Sequence, residues 1–241
     1  MSESPPDWLS KLRGRFLVFD GPDGSGKSTQ FKRFTEFAKC HGITICSVRE
    51  PGGTSIGEQI RRVLLDPAND QMDRYCEMLL YMASRAELVA QQIRPALQQQ
   101  QLVVADRFIS STLAYQGSAG GIPLADILRL GHMVMSECWP DLVIIFDVAP
   151  DVARRRLHGK KHSDMRQPML FSDRMERQGV AYERAVRRGY LDQAKAEPDR
   201  YLVIDASGDT DTVFAGLCNA LTERVDVLEG GGRKAGRQLE D

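Results

Sequence analysis

The feature that most constrains this chain is an eight-residue loop that fills the pattern Gly-x-x-x-x-Gly-Lys-Ser at every position, from Gly21 to Ser28. The run before it, residues 15–20, is short and apolar, as expected for a buried strand. Residues 29–40 after it place Phe31, Phe34 and Ala38 on one helical face. A strand, a glycine loop and a helix in this order gather free backbone N–H groups and the positive end of a helix dipole. The pattern therefore predicts a polyphosphate site. A chance glycine-rich turn would lack these flanks.

Composition agrees with one compact α/β domain. The chain has 241 residues, 42% of them hydrophobic, and a formal net charge of −1, so nothing points to a nucleic-acid partner. The longest apolar runs, such as residues 142–146, are strand-sized, which predicts no membrane partner. The first 15 residues have no signal-peptide character, and the five cysteines form no Cys-x-x-Cys pair. Reduced thiols and a cytoplasmic location are expected.

Strand and helix patterns alternate along the chain, which predicts a parallel five-stranded sheet with helices on both faces. The predicted strands are residues 15–20, 43–48, 102–105, 142–147 and 201–205. The longest predicted helices are residues 73–97, with Pro95 marking a kink or break, 172–196 and 210–227. The predicted units are an N-terminal extension at 1–14, one domain at 15–228 with a basic lid at about 154–172, and a flexible tail at 229–241.

Arginine stands beside a carboxylate at the end of two predicted strands, in Arg49-Glu50 and Asp106-Arg107. Ligands of open α/β sheets bind outside the carboxyl ends of the strands. Two guanidinium groups there could hold a second phosphate that faces the loop-bound one. The structural alternative is a helix cap with a surface ion pair. Because the chain has no Asn-Lys-x-Asp segment, a guanine-reading switch protein is disfavoured.

Further motifs occur in a fixed order across residues 15–227, and with them the chain resembles the bacterial thymidylate kinases. They are Arg49-Glu50-Pro51-Gly52-Gly53-Thr54, Leu79-Leu80-Tyr81 with Ser84-Arg85-Ala86, Asp106-Arg107-Phe108, Ala114-Tyr115-Gln116-Gly117, and Asp173-Arg174-Met175-Glu176. The resemblance implies a nucleoside monophosphate kinase of the P-loop NTPase type, a homodimer, which transfers phosphate from ATP to dTMP with Mg²⁺.

For ATP, the resemblance assigns the phosphates to Lys27 and the loop amides, and Mg²⁺ to Ser28. Asp23 would lie near the deoxyribose hydroxyl and a metal-bound water. The implied ATP-binding residues are Gly21, Pro22, Asp23, Gly24, Ser25, Gly26, Lys27, Ser28 and Thr29.

For dTMP, the resemblance implies that Arg49 and Arg107 clamp the phosphate and that Asp106 orients the arginine. Tyr81 would stack on thymine, with Arg85 and Thr112 bonding the base. Tyr115 would crowd the 2′ position of a ribose, and Glu176 would lie near the sugar or the metal water. Ordinary core packing is the alternative for either tyrosine alone. The resemblance also suggests a cis peptide at Glu50–Pro51 that aims Arg49 into the acceptor site.

One departure from the family concerns the transferred charge. Some relatives carry an arginine directly after the loop aspartate, where this chain has Gly24. The basic lid is then the expected source of a cation, with Arg156 as first choice, helped by Lys160 or Arg166; a solvated basic loop is the alternative. The expected catalytic set is Lys27, Asp23, Arg107 and Arg156. Two other functions stay open: a kinase for another nucleoside monophosphate, and a nucleotide-binding regulatory protein without catalysis.

Overall fold

Five parallel strands form the centre of the molecule, in the order β2-β3-β1-β4-β5. In the computed structural model, which describes residues 6–161 and 179–230, they are β1 Phe16–Asp20, β2 Ile45–Arg49, β3 Leu102–Asp106, β4 Leu142–Asp147 and β5 Tyr201–Asp205. The predicted five-stranded sheet is confirmed, with β2 shifted by one or two residues. Asp106 pairs in register with both Phe19 and Arg49, so the carboxyl ends of the three strands meet at one edge.

Helices cover both faces of this sheet. They are α1 Asp7–Ser10, α2 Lys27–Cys40, α3 Ser55–Leu65, α4 Arg74–Leu88, α5 Arg94–Gln98, α6 Ile109–Thr112, α7 Leu124–Met135, α8 Pro150–Lys161, α9 Gly179–Ala196 and α10 Thr210–Gly230. Side chains of β1 alternate between two apolar clusters: Phe16 and Val18 face α4, α7 and α9, whereas Leu17 and Phe19 face α1, α2 and α10. Alternation follows from the two-residue period of a strand.

A π-helical turn, Val89–Ile93, joins α4 to α5 where the sequence predicts a kink or break at Pro95. Proline has no N–H, and its ring would clash with the carbonyl four residues earlier in a regular helix. The wider turn just before Pro95 lets the helix continue without that clash. A second π-helical segment, Leu113–Ala119, extends α6.

The segment predicted as an N-terminal extension packs on the domain. Leu9 and Leu12 are fully buried, and Trp8 stacks on Phe37 of α2. Lys11 Nζ forms an ion pair with Asp226 of α10 at 2.7 Å. The hydrophobic core therefore begins before the domain boundary predicted at residue 15.

The predicted lid and tail are described in part. Residues 154–161 of the lid belong to α8, and residues 162–178 lie outside the described part of the chain. The helix predicted at 172–196 is described from Gly179, and the final helix continues to Gly230, with 231–241 outside the described residues. Among the described helices, none combines the length and the apolar character needed to cross a lipid bilayer.

Candidate active site

The phosphate loop lies between β1 and the first turn of α2, as predicted. Gly26 caps α2 in a left-handed conformation with φ of 86°, so the first N–H groups of a 14-residue helix point into the loop. Gly24 also has positive φ, 79°, and a Cβ at this position would lie 2.5 Å from the carbonyl oxygen of Ala153 in α8. The loop is therefore a cradle of backbone amides, closed on one side by α8.

Asp106 at the end of β3 contacts the phosphate-loop side chains. Lys27 Nζ forms an ion pair with Asp106 Oδ1, and Ser28 Oγ donates to Asp106 Oδ2 at 3.3 Å. Burial raises the pKa of Asp106, but the charges of Lys27 and Arg107 and the hydrogen bonds from Lys27 and Ser28 together outweigh burial and leave the pKa below its usual value. The predicted role of Asp106 in orienting the arginine stays a prediction, and the chain turns between Asp106 and Arg107.

That turn aims Arg107 in the opposite direction. Arg107 has φ of 69°, and its N–H donates to the carbonyl of Phe19, which fixes the backbone against β1. Its Nη2 forms an ion pair with Asp23 at 2.5 Å. The guanidinium therefore lies beside the phosphate loop, with its side chain 13% exposed. Arg107 and Asp23, predicted from different motifs, form one unit.

A cavity of about 340 Å³ opens next to Arg107. Five of the residues predicted for the acceptor line it, together with four others: Tyr81, Arg85, Arg107, Thr112 and Tyr115, with Glu50, Phe108, Ser111 and Gln116. The cavity combines aromatic surface with hydrogen-bonding groups, as a small-molecule site requires.

Arg85 is held rigidly at this cavity. It is 1% exposed, and its Nε and Nη2 donate to both carboxylate oxygens of Glu50 at 2.5–3.0 Å. Nη2 also donates to Thr112 Oγ1 at 3.1 Å. Burial raises the pKa of Glu50 to about 7, although the charge of Arg85 acts against that rise. Arg85 and Glu50 are thus held in place before a ligand enters, so ligand binding requires no rearrangement of this pair.

Arg49 lies at the same edge of the sheet but does not line this cavity. Its Nη2 donates to Glu58 at 2.8 Å, and its side chain is 55% exposed. Glu58 also accepts from the N–H of Gly53 at 2.7 Å. The cis peptide predicted at Glu50–Pro51 is confirmed.

Arg156, the lid cation of first choice, contacts backbone carbonyls. Its Nη1 donates to Ala206 at 2.7 Å and to Ser25 at 3.4 Å, and Nη2 donates to Ser207 and Gly208 at 3.1 and 3.0 Å. In this conformation Arg156 joins the phosphate loop to the loop after β5. Arg166 and Glu176 lie outside the described residues, as does the side chain of Lys160.

Several residues at the site have no counterpart in the sequence predictions. Asp20, at the end of β1, is fully buried and accepts hydrogen bonds from Ser110, Ser111 and Tyr190. The sequence signal for Asp20 was its position at the end of an apolar strand, because a buried carboxylate needs hydrogen-bond donors inside the fold. No role was predicted for Tyr190, because its hydrogen-bond partners are far away in sequence.

A second cavity, of about 550 Å³, adjoins Asp23 and Tyr115 and lies between α8 and α9. Arg187 on α9 forms a two-bond ion pair with Asp147 at 2.7 and 2.8 Å. Asp147, the last residue of β4, therefore links α9 to the sheet beside this cavity.

The chain is similar to known proteins over most of its length. A sequence model of the family described as thymidylate kinase matches residues 19–216. A thymidylate kinase of Symbiobacterium thermophilum is 45% identical over 198 residues, which cover 82% of this chain and 88% of that protein. One from Geobacillus sp. is 35% identical, covering 89% and 99%. The crystal structure of thymidylate kinase from Ehrlichia chaffeensis superimposes with a TM-score of 0.67 at 32% identity, covering 86% of this chain and 97% of that one. The chain has the P-loop NTPase fold and belongs to the thymidylate kinase family.

Proposed function

We propose that this protein transfers the γ-phosphoryl group of ATP to dTMP, giving ADP and dTDP. The observation that carries the proposal is the arrangement of two sites on either side of Arg107. The phosphate loop is on one side, and the cavity with Tyr81, Arg85 and Thr112 is on the other. A donor and an acceptor bound in this way meet at the guanidinium. Family membership supports the same reaction.

Catalysis in this proposal rests on position and charge. The acceptor oxygen belongs to a phosphate that is already anionic, so no strong general base is needed. The loop amides and Lys27 hold the donor phosphates, while Arg107 and Arg49 hold the acceptor phosphate in line. Asp23 keeps Arg107 at the boundary between the two substrates through its ion pair.

The residues present fit a magnesium ion. Ser28 supplies a hydroxyl oxygen and Asp106 a carboxylate, and such oxygen ligands, completed by substrate phosphates, suit Mg²⁺. When bound, the ion would neutralise charge on the donor phosphates. Lys27 then exchanges its ion pair with Asp106 for contacts to phosphate oxygens.

Base and sugar selection follow from the lining of the acceptor cavity. Tyr81 offers a ring for stacking, and Arg85, held by Glu50, offers a fixed guanidinium to a base carbonyl. Tyr115 is 6% exposed with its ring against the Arg107 guanidinium. A ring fixed there leaves little room for a 2′-hydroxyl, which favours deoxyribose.

We also propose a homodimer. Exposed apolar side chains occur on three helices that pack side by side, α3 against α4 and α4 against α7: Ile56, Val63, Tyr75, Leu79 and Met133. Exposed apolar surface of this kind is typical of an interface. Analytical ultracentrifugation tests the dimer, and Leu79→Glu should shift it toward monomer.

We also propose a cytoplasmic location, with which the five free cysteines agree.

A coupled assay of ADP release tests the reaction with dTMP, dUMP, UMP and CMP. Transfer to dTMP is expected to exceed transfer to both ribonucleotides by at least about a hundredfold in kcat/KM, because the cavity must select both base and sugar. Preference for a ribonucleotide would replace this function with another nucleoside monophosphate kinase. No ADP release with any acceptor would support a non-catalytic protein.

A further inference from the structure

Asp20 is a fully buried carboxylate surrounded by hydrogen-bond donors. It accepts from the N–H of Gly21 at 2.9 Å, from Ser110 Oγ at 2.6 Å, from Ser111 Oγ at 2.7 Å and from Tyr190 Oη at 2.6 Å. These donors come from the phosphate loop, from α6 and from α9. Neither phosphate binding by the loop nor ligand binding in the acceptor cavity explains why four donors surround this buried carboxylate.

The direction of two of these hydrogen bonds is fixed by chemistry. Ser111 and Tyr190 each carry one hydroxyl proton, and a carboxylate can only accept. The two hydroxyl oxygens also lie 2.9 Å from each other, so one hydroxyl at most can donate to the other, and at least one proton points to Asp20. In either arrangement each hydroxyl oxygen keeps a lone pair that can accept a further hydrogen bond. A guanidinium can only donate, and Arg107 Nη1 lies 3.0 Å from Ser111 Oγ and 3.2 Å from Tyr190 Oη.

Asp20 itself is farther from Arg107, at 3.5 Å from Nη1 to Oδ1. Asp20 therefore acts on the guanidinium in two ways, through its own negative charge and through the two hydroxyls that donate to it. Asp23 holds the other end of the guanidinium at Nη2. Together these contacts fix the plane of Arg107 from one side.

The geometry points to Asp20 and Tyr190 as positioning residues that aim Arg107 at the acceptor phosphate. This inference rests on the proposed function in that Arg107 is taken to contact dTMP. Tyr190 lies on α9, more than 80 residues from Arg107, so the effect is separate from the phosphate-loop motif.

The state of Tyr190 supports this role. Burial raises the pKa of its hydroxyl well above the usual value, and the negative charge of Asp20 raises it further. Tyr190 therefore remains a neutral donor to Asp20 at physiological pH. The direction of the hydrogen bond from Tyr190 to Asp20 is therefore the same at every pH at which the reaction would run.

The test is a double-mutant cycle with Tyr190→Phe and Arg107→Ala, measured as KM for dTMP and KM for ATP. Tyr190→Phe keeps the ring and removes one acceptor of Arg107, so KM for dTMP should rise about tenfold, with KM for ATP within twofold. In the Arg107→Ala background the same change should alter KM for dTMP less than twofold, because the residue acts through Arg107. Ser111→Ala, which removes another acceptor of Arg107 Nη1, should show the same dependence on Arg107.

Tyr201→Phe is the matched control. Tyr201 is 9% exposed, and its hydroxyl donates to Gln193 on the same helix as Tyr190, α9, at 2.9 Å. It therefore loses a comparable hydrogen bond but has no contact with Arg107 among those described. Its KM for dTMP should change less than twofold. A purely structural role for Tyr190 would give equal effects in both Arg107 backgrounds, or an effect no larger than that of Tyr201→Phe, and either result overturns the inference.

A second measurement separates this inference from the proposed function. Rotation of the Arg107 guanidinium about Cζ–Nε is followed by NMR on the free protein, with the signal assigned by its loss in Arg107→Lys. Rotation should be slow in the parent and in Tyr201→Phe, and faster in Tyr190→Phe. If the parent does not phosphorylate dTMP, the proposed function fails and this measurement decides: unchanged rotation in Tyr190→Phe overturns the positioning role.

Discussion

Gly24 of the phosphate loop and Ala153 of α8 are in backbone contact, so close that a Cβ on Gly24 would lie 2.5 Å from the Ala153 carbonyl oxygen. The absence of a side chain at position 24 is thus a packing requirement of α8 as this chain places it. An arginine there, as in some relatives, would need α8 to move. The charge that the loop lacks must come from another element.

Gly24→Ala is expected to destabilise the protein by about 2–4 kcal/mol, because it combines left-handed backbone strain with a clash against fixed backbone atoms. Gly42→Ala is the control, since Gly42 has a similar φ of 73° and no atom lies within 4 Å of the position that its Cβ would take. It should cost about 1–2 kcal/mol from strain alone. Urea unfolding measures both, and equal costs would contradict the contact with α8.

Lys27→Ala should lower turnover by about a hundredfold or more, since it removes a positive charge from the transferred group. The fold should persist, because Lys27 faces the ligand site and pairs with Asp106 at its edge. Lys32→Ala, on the exposed face of the same helix, should keep full turnover. Steady-state kinetics on both purified variants, with circular dichroism as a check of folding, provide the measurement. Near-parental turnover in Lys27→Ala would remove Lys27 from the mechanism.

Tyr81→Ala should weaken dTMP binding by about 1–3 kcal/mol, the usual scale for loss of an aromatic–base stack. ATP affinity should stay within twofold, and Tyr81→Phe, which keeps the ring, should bind dTMP nearly as well as the parent. Isothermal titration calorimetry measures both affinities. Equal losses in the Ala and Phe variants would assign the effect to the hydroxyl.

Glu50 should make the free energy of unfolding depend on pH. Its pKa is raised from 4.5 to about 7, so between these values the folded protein holds a proton that the unfolded chain has lost. The contribution of Glu50 to stability is therefore greatest below about pH 4.5 and decreases as the pH rises to about 7. Urea unfolding of the parent minus that of Glu50→Gln should show this decrease, because other titrating groups cancel. A difference that is flat from pH 5 to 8 would contradict the raised pKa.

Arg156→Ala tests the lid cation. If Arg156 acts on the transferred phosphoryl group, turnover should drop about tenfold or more while KM for dTMP stays within twofold. Arg155→Ala is the control, since Arg155 is 74% exposed and faces Asp151. An increase in KM for ATP with unchanged turnover would instead match the carbonyl contacts of Arg156, which join the phosphate loop to the loop after β5. Lys160→Ala and Arg166→Ala complete the series.

The phosphate loop and the sheet could be predicted because their signals are local. Adjacent residues are enough to recognise the glycine pattern between Asp20 and Lys27. The same is true of the apolar run in each strand. The cavity residues Tyr81, Arg85 and Thr112 were also predicted, from motifs with fixed spacing. Their convergence on one cavity follows from the parallel sheet.

What could not be predicted depends on backbone geometry or on distant partners. Arg107 points away from Asp106 because its own φ is positive, which no residue type in the sequence indicates. Asp106 is therefore free to pair with Lys27, 79 residues earlier. Leu9 and Leu12 look like parts of a polar extension until α10 supplies the surface that buries them.

The ion pair between Lys11 and Asp226 joins the first and last helices near the amino ends of the strands. The acceptor cavity and the phosphate loop lie at the carboxyl ends of those strands, at the opposite end of the sheet. A surface anchor or fluorescent group attached beside Lys11 or Asp226 would thus lie away from the substrates. The enzyme could be immobilised by that side with its catalytic face still open to solution.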